Sequence, residues 1–253
     1  GGAKDLRAYL RSLALDPEDR ASCITAGLRL LGELKQNAKA VEPEQLTTCF
    51  ADIDARPLRW RLFPCIPRGK IGLVAGHPGL GKSLVTLDMG ARLSRGEGMP
   101  GERHPDEACD VLFLSAEDDV HDTIRPRLDA AGAVVERVHA STCLDLLTLE
   151  KMLIERPRVG LVVVDPLSAY TGQLDTHRDA EVRTFLAGVA ELARERDVAI
   201  FFVVHLRKSS DGPAILKPGG SIAFVAAARV AWIVLEDPKD KQRRYFLPLK
   251  SNL

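Results

Sequence analysis

The sequence has no net charge, because its 35 lysines and arginines balance its 35 aspartates and glutamates. A protein that coats DNA through a broad basic face needs an excess of positive charge, so that class is disfavoured, although a local basic loop can still bind a phosphate backbone. The sequence also lacks an apolar run near the roughly 20 residues that a membrane span requires, and its first residues lack the pattern of a signal peptide. We therefore expect a cytoplasmic protein.

Cysteine is scarce and never occurs as a close pair. The five cysteines, at positions 23, 49, 65, 109 and 143, have no C-x-x-C spacing. Zinc sites and disulfide frameworks of small secreted domains depend on such spacings. We therefore predict reduced cysteines that serve as packing residues.

The first 45 residues are predicted to form a helical extension. The stretch "LDPEDRASCITAGLRLLGELKQ" has Asp16 at the N-cap, Pro17 at the first helical position and leucines at helical spacing. The following segment, "NAKAVEPEQLTTCFADIDARP", is polar, contains two prolines and has no sustained period, as is typical of a linker. We predict two parts, a helical extension or linker over 1–45 and a catalytic domain over 46–253.

From residue 70 onwards, short apolar runs alternate with longer segments of helical spacing. Near-continuous apolar strands joined by helices are typical of an α/β fold, with a mostly parallel sheet covered on both faces. Only the polar loop "EDPKDKQR" joins the last two runs, so the sheet is predicted to end in an antiparallel pair. The six predicted strands are "KIGLVAG", "DVLFLSAE", "GLVVVDP", "VAIFFVVH", "RVAWIVLE" and "RRYFLPLK".

The segment "GHPGLGKS", residues 76–83, lies between the first of these strands and a helix. It matches G-x-x-x-x-G-K-[ST], in which backbone N–H groups surround a phosphate and the following helix directs its N-terminus at the negative charge. Lys82 is expected to reach the β- and γ-phosphates of a nucleoside triphosphate, and Ser83 to bind Mg²⁺; a glycine-rich turn without a ligand is the alternative. The predicted nucleotide-binding residues of this loop are Gly76, His77, Pro78, Gly79, Leu80, Gly81, Lys82, Ser83 and Leu84.

Acidic residues follow two of the predicted strands. Asp165 ends "LVVVDP" and is the candidate second metal ligand, although any strand can end in an acid where it enters a loop. Glu117 follows "VLFLSA" and is the candidate general base for the attacking water. The next two residues, Asp118 and Asp119, are expected to cap the following helix.

His205 ends the strand "FFVVH" and is a candidate sensor of the γ-phosphate, although a single histidine at a strand end is usually just solvated. The next segment, "LRKSSDGPAILKPGGS", is rich in glycine, serine and proline, as a mobile loop would be. Its basic residues Arg207, Lys208 and Lys217 are candidate contacts to nucleic acid. An ordinary solvated loop is the alternative.

These motifs, in this order along the chain, resemble the RecA-fold ATPases close to plasmid and phage RepA-like hexameric replicative helicases, of the AAA_25 type, and more distantly DnaB-type helicases. The resemblance covers residues 55 to 253 and implies a RecA-like P-loop NTPase fold. The segments that carry it are "GHPGLGKS", "LFLSAEDD", "LVVVDPLSAY", "DTHRDAEVRTFLAGVAELA", "VVHLRKS", "GGSIAFVAAARVAW" and "LPLKSNL".

The resemblance implies the same roles for Lys82, Ser83, Glu117, Asp165 and His205 as the residue types indicate. It also implies a homo-hexamer with ATP and Mg²⁺ between subunits, where a neighbour supplies a cation to the departing γ-phosphate. A fused or associated primase domain is a further implied partner.

Three basic residues gain roles from the resemblance alone. Arg229, in "AAARVAW", resembles the cation that a neighbouring subunit supplies. Lys250 resembles the lysine of the DnaB K-x-R pair, although Asn252 stands where the arginine would be. Arg127 resembles an arginine that flanks the catalytic base, although it is displaced by one residue.

The function predicted from the sequence is that of an ATP-hydrolysing motor on single-stranded DNA. One alternative is a nucleotide-dependent loader or scaffold of a replication or recombination complex that does not unwind DNA. Another is a P-loop phosphotransferase that moves the γ-phosphate to an acceptor other than water.

Overall fold

The computed structural model describes residues 47–105, 107–142, 145–169, 179–206 and 221–253, with side chains from 182 and 224 onwards in the last two ranges. One compact unit comprises Pro57–Leu253. Residues 47–56 contain one 3₁₀ turn, Phe50–Asp52. The predicted helical extension over 1–45 lies outside the described residues, so the two-part division stays a prediction.

The compact unit alternates strands and helices along the chain. Its strands are β1 Trp60–Leu62, β2 Ile66–Pro67, β3 Ile71–Gly76, β4 Asp110–Ser115, β5 Val138–Ser141, β6 Val159–Asp165, β7 Ala199–His205, β8 Val230–Glu236 and β9 Arg244–Ser251. Its α-helices are α1 Lys82–Arg95, α2 Arg125–Ala130, α3 Leu146–Glu155, α4 Asp179–Glu195 and α5 Ser221–Ala227. A π-helical turn, Val120–Ile124, leads into α2, and 3₁₀ turns cover Val135–Arg137 and Leu167–Ala169.

Seven strands form one sheet in the order β5-β4-β6-β7-β3-β8-β9. Each neighbouring pair is parallel except β8 and β9, which are antiparallel. The prediction of a mostly parallel sheet with an antiparallel C-terminal edge is therefore confirmed. Parallel strands end at one edge of the sheet, so the residues that follow β3, β4, β6 and β7 lie at a common carboxyl edge.

Two hydrophobic clusters cover the two faces of the sheet, which explains why its central strands are apolar at nearly every position. In β6, every residue except Asp165 is buried. One cluster contains Leu87 and Leu93 of α1 and Leu128 of α2. The other contains residues of α3, α4 and α5. The fold is thus three layers, helix on sheet on helix.

The cysteines of the described core are packing residues, as predicted. Cys65 and Cys109 are free and buried, and both belong to the cluster on the α1 face. Burial raises the pKa of Cys65 to about 12.

Four elements were not predicted from the sequence. Strand β5 forms one edge of the sheet, α5 precedes β8, and β1 and β2 pair as a short hairpin. The predicted linker reaches to residue 57, so the hairpin lies directly beyond it.

The hairpin is held at the amino edge of the sheet by one carboxylate. Asp197, just before β7, accepts a hydrogen bond from Arg68 Nε at 2.9 Å and one from Arg59 at 3.2 Å. The backbone carbonyl of Asp197 accepts from Arg61 at 3.2 Å. These three arginines concentrate positive charge at the amino edge.

Among the described residues, no helix is both long enough and apolar enough to cross a bilayer.

Candidate nucleotide site

The loop between β3 and α1 has the geometry that phosphate binding requires. Gly76 lies so close to β8 that an added Cβ would approach the Val234 carbonyl oxygen to 2.8 Å. Gly81, at the N-cap of α1, has φ 87°, a conformation that favours glycine, and provides no side chain to cap the helix. The first amides of α1 are therefore free of a side-chain cap, as an anion-binding helix N-terminus requires.

Lys82 is the first residue of α1 and is almost fully buried, with 3% of its surface exposed. Its ammonium donates a hydrogen bond to the His77 carbonyl oxygen at 2.9 Å, which holds the side chain across the loop. Burial lowers the pKa of Lys82, while the charges of Asp165 and Glu117 oppose this shift. Both predicted acids therefore lie within electrostatic range of the lysine.

Asp165, the last residue of β6, accepts a hydrogen bond from the Ser83 side chain. Burial raises the pKa of Asp165, and the Ser83 hydrogen bond is the largest of the effects that oppose the rise. A hydroxyl and a carboxylate oxygen in contact are suitable ligands for a hard cation such as Mg²⁺. The two residues predicted as metal ligands are thus brought together, although α1 and β6 are far apart in sequence.

Glu117 lies two residues beyond the end of β4 and is exposed. The same loop contains Asp119, which accepts hydrogen bonds from the backbone amides of His121 and Asp122 and caps the π-helical turn as predicted. Asp118 does not cap that turn. Its carboxylate accepts a hydrogen bond from Arg127 at 2.8 Å instead.

His205 ends β7 and pairs in register with Gly76 of β3. Its Nδ1 is buried and has no hydrogen-bond partner among the described residues, and His205 is among the groups that oppose the rise in the pKa of Asp165 caused by burial. The next residue, Leu206, is joined to the phosphate loop by both backbone groups. Its amide donates to the Gly76 carbonyl at 3.1 Å, and its carbonyl accepts from His77 Nδ1 at 3.1 Å.

The side-chain contact of His77 was not predicted from the sequence, which indicated only that His77 belongs to the loop. No local pattern could reveal it, because His77 and Leu206 are 129 positions apart. Arg207, Lys208 and Lys217 come after this point and lie outside the described residues.

Arg229 and Lys250 lie at the opposite, amino edge of the sheet. Arg229 directly precedes β8, whose first residue Val230 pairs with Gly72 near the start of β3. Lys250 pairs with Ala231, and its ammonium donates to the carbonyls of Val225 and Ala226 at 2.7 and 2.9 Å, at the C-terminus of α5. Neither residue is placed at the phosphate loop of its own chain, and their nucleotide roles stay predictions.

The arrangement combines three chemical capacities at one edge of the sheet. Lys82 and the free amides of α1 can bind negatively charged phosphate oxygens. Ser83 and Asp165 can hold Mg²⁺, which when bound neutralises charge on the β- and γ-phosphates. Glu117 can accept a proton from water.

We expect Asp165→Asn to stabilise the unliganded chain while it abolishes stabilisation by nucleotide with Mg²⁺. Because burial raises the folded pKa of Asp165, the free energy of unfolding falls as pH rises from the unfolded value, about 3.9, through the folded value. At neutral pH the ionised carboxylate therefore destabilises the fold, and asparagine removes that effect. The measurement is a thermal unfolding scan at neutral pH with and without a non-hydrolysable ATP analogue and Mg²⁺.

For the parent chain, ligand at about 100 times its Kd should add about 2.7 kcal/mol to the free energy of unfolding. For Asp165→Asn this increment should be lost. Asp129→Asn is the matched control, because Asp129 is an exposed acid that pairs with Arg125. A variant that is less stable without ligand, yet retains the ligand increment, would contradict the assignment.

Comparison with known proteins agrees with this geometry. The family model AAA_25, described as an AAA domain, matches residues 37–211, more than half of the chain. Among solved structures, a chain described as an ATPase domain superposes with a TM-score of 0.54 at 12% identity, covering 73% of this chain and 78% of that one. At this identity the structural likeness shows the fold alone.

Curated relatives include proteins described as DNA repair protein RadA. The RadA of Halalkalibacterium halodurans is 29% identical over 154 residues, which are 59% of this chain and 31% of that protein. The RadA of Bacillus subtilis is 26% identical over 157 residues, or 60% and 31%. The RadA of Mycobacterium tuberculosis is 29% identical over 176 residues, or 67% and 33%. The chain thus spans about a third of the length of these relatives.

The family match covers the phosphate loop and both acids, and the fold is that of an ATPase domain. The chain belongs to the AAA_25 family of AAA domains, and its compact unit is a RecA-like P-loop ATPase domain.

Proposed function

We propose that this chain is an ATP-hydrolysing motor that moves along single-stranded DNA, as a hexamer with nucleotide bound between subunits. The observation that carries the proposal is that the side chains of Ser83 and Asp165 come together beside the buried ammonium of Lys82. This constellation suits Mg²⁺-dependent cleavage of a triphosphate. Glu117 is the proposed base for the attacking water, and His205 the proposed sensor of the γ-phosphate.

Two observations support DNA as the partner. The RadA relatives are described as DNA repair proteins. In addition, Leu206 is tied by both backbone groups to the phosphate loop and directly precedes the proposed DNA-contacting residues Arg207 and Lys208. A change at the γ-phosphate can therefore be transmitted to the start of that segment through a few hydrogen bonds.

We expect single-stranded DNA to accelerate ATP hydrolysis, and salt to weaken the acceleration. Contacts between basic side chains and phosphates release counterions, so affinity for DNA falls steeply as salt rises from about 50 to about 200 mM. The measurement is the steady-state release of phosphate with and without single-stranded DNA over this range, together with the mass of the protein in solution. Duplex DNA of the same length is the control. An ATPase rate that DNA does not change at low salt would refute the nucleic-acid part of the proposal.

A loader or scaffold that hydrolyses ATP without unwinding DNA is the second candidate, and the description of the RadA relatives as repair proteins favours it over a phosphotransferase. A strand-displacement assay separates it from the motor, because only a motor that unwinds would release a labelled strand. A phosphotransferase would instead transfer label from γ-labelled ATP to an acceptor.

A further inference from the structure

A cavity of about 550 Å³ opens at the amino edge of the sheet, opposite the phosphate loop. Its walls come from α4, the end of α5, the start of β3 and the residue after β9. Half of the wall residues are glycine or alanine, so backbone and short side chains leave the space open. These small residues are Gly69, Ala187, Ala190, Ala226, Ala227 and Ala228.

Two of the cations that line this cavity have no partner among the described residues. Lys70 and Arg229 both line it, and neither side chain has a hydrogen bond or ion pair within the described part of the chain. By contrast, Arg194 is paired with Glu191. Burial lowers the pKa of Lys250, and the nearby charge of Arg229 lowers it further. The ammonium of Lys250 already donates to two carbonyls of α5.

The backbone holds these two cations next to each other. The amide of Arg229 donates to the carbonyl of Ile71, the residue after Lys70, at 2.9 Å. The carbonyl of Arg229 accepts from the amide of Asn252 at 2.8 Å. Lys70 and Arg229 are thus fixed at their backbones while their charged ends have no partner in the described chain.

The two edges of the sheet differ in the charges that have no ion pair among the described residues. At the carboxyl edge this charge is Glu117, since Asp118 is paired with Arg127, and a bound triphosphate would add negative charge there. At the amino edge the unpaired charges are Lys70 and Arg229, which line the cavity. Unpaired charges of opposite sign at the two edges favour head-to-tail contact between copies, and such heterologous contacts generate rings when the rotation closes.

Within the described residues, Lys82 is the cation seen on the phosphate loop, and Arg127, beyond β4, is already paired with Asp118. Cleavage of the γ-phosphate moves negative charge onto the leaving and transferred oxygens, and a cation from a neighbouring subunit can stabilise this charge.

We propose that Lys70 is a second cation that one copy of the chain presents, beside Arg229, to the triphosphate bound by the next copy. This inference rests on the proposed hydrolysis between subunits. It adds Lys70 to the cations that the sequence resemblance indicated, Arg229 and Lys250, of which Lys250 donates to two carbonyls of α5.

The test uses Lys70→Met, which keeps the length of the side chain and removes its charge. We expect kcat for ATP hydrolysis to fall about tenfold or more with little change in KM, because the cation acts on the transition state. Lys70→Arg should retain most of the activity, since the positive charge remains. Arg194→Met is the matched control, because it removes a paired cation from the same cavity, and its rate should stay near that of the parent chain.

Mixing two inactive variants tests whether Lys70 acts on the nucleotide of its own chain or on that of the next chain. The Lys82→Ala variant lacks the lysine of its own phosphate loop but retains Lys70. The Lys70→Met variant retains Lys82 but lacks the charge of Lys70. In a random one-to-one mixture, about a quarter of the interfaces combine an intact Lys82 with an intact Lys70, so about a quarter of the parent rate should return. Each variant alone should stay slow.

Three results would overturn the inference. Lys70→Met as fast as the parent chain would show that the charge is not needed. If Lys70→Met is slow and mixing does not restore the rate, Lys70 acts within its own chain. If Lys70→Arg is as slow as Lys70→Met, the positive charge is not what Lys70 contributes. A parent chain that hydrolyses no ATP would instead refute the proposed function, and this inference with it.

Discussion

Replacing Lys82 by alanine is expected to lower kcat/KM for ATP hydrolysis by about 10²–10³-fold. The ammonium of Lys82 is buried and lies within reach of the phosphate loop through its hydrogen bond to the His77 carbonyl. A triphosphate in the loop would offer that ammonium stronger acceptors than a carbonyl. Removal of the side chain therefore removes charge compensation that water cannot supply in this buried position.

The same substitution should leave the fold intact. Burial lowers the pKa of Lys82, so the folded chain holds the ionised amine less favourably than water does. We expect the melting temperature of the unliganded variant to match or exceed that of the parent chain. Steady-state phosphate release and a thermal scan check the two statements together, with the exposed Lys241→Ala as control. Unchanged hydrolysis in Lys82→Ala would show that the loop does not hold the substrate.

The strands that surround the site could be predicted because they are buried on both faces. β6 and β7 are apolar at nearly every position, since helices cover the sheet from either side. Such runs are recognisable without knowledge of their neighbours. The order of strands and helices along the chain then sufficed to predict that residues after β3, β4 and β6 would meet at one edge.

Short or half-exposed elements could not be predicted in this way. β5 has four residues, "VHAS", of which none is fully buried, because it lies at the edge of the sheet. Helix α5 has seven residues, and β1 and β2 have three and two. Elements this short take their structure from tertiary contacts, such as those of Asp197 with Arg68, rather than from a local pattern.

The site shows the same division between what is local and what depends on register. The contact of Ser83 with Asp165 follows from a local motif and the parallel sheet, so the sequence predicted both residues. The engagement of Lys250 with α5 and the position of Lys70 at the cavity depend on how β8, β9 and β3 align. A one-residue change in that register would exchange which side chains face each helix layer.

Replacing Glu117 by glutamine is expected to lower kcat by about 10²–10⁴-fold while nucleotide binding persists. Glutamine keeps the shape of the side chain but cannot take a proton from water. The charge of Glu117 opposes the lowering of the Lys82 pKa by burial, so its carboxylate lies within electrostatic range of the ammonium that is proposed to bind the γ-phosphate. Binding should persist because the amides of α1, Lys82 and the Ser83–Asp165 pair do not depend on the charge of Glu117.

Two measurements on one preparation distinguish a base from a binding residue. Single-turnover hydrolysis of γ-labelled ATP reports the chemical step, and equilibrium binding of a fluorescent ATP analogue reports affinity. Asp118→Asn is the matched control, because Asp118 is the adjacent acid but its carboxylate is held by Arg127; its effect on the chemical step should be much smaller. Loss of nucleotide binding in Glu117→Gln would mean that Glu117 contributes to binding rather than to catalysis. Unchanged hydrolysis would mean that another group activates the water. Slow hydrolysis with retained binding would keep ATP bound to the protein. Mixing this ATP-bound protein with single-stranded DNA would then show whether the ATP-bound form binds the strand.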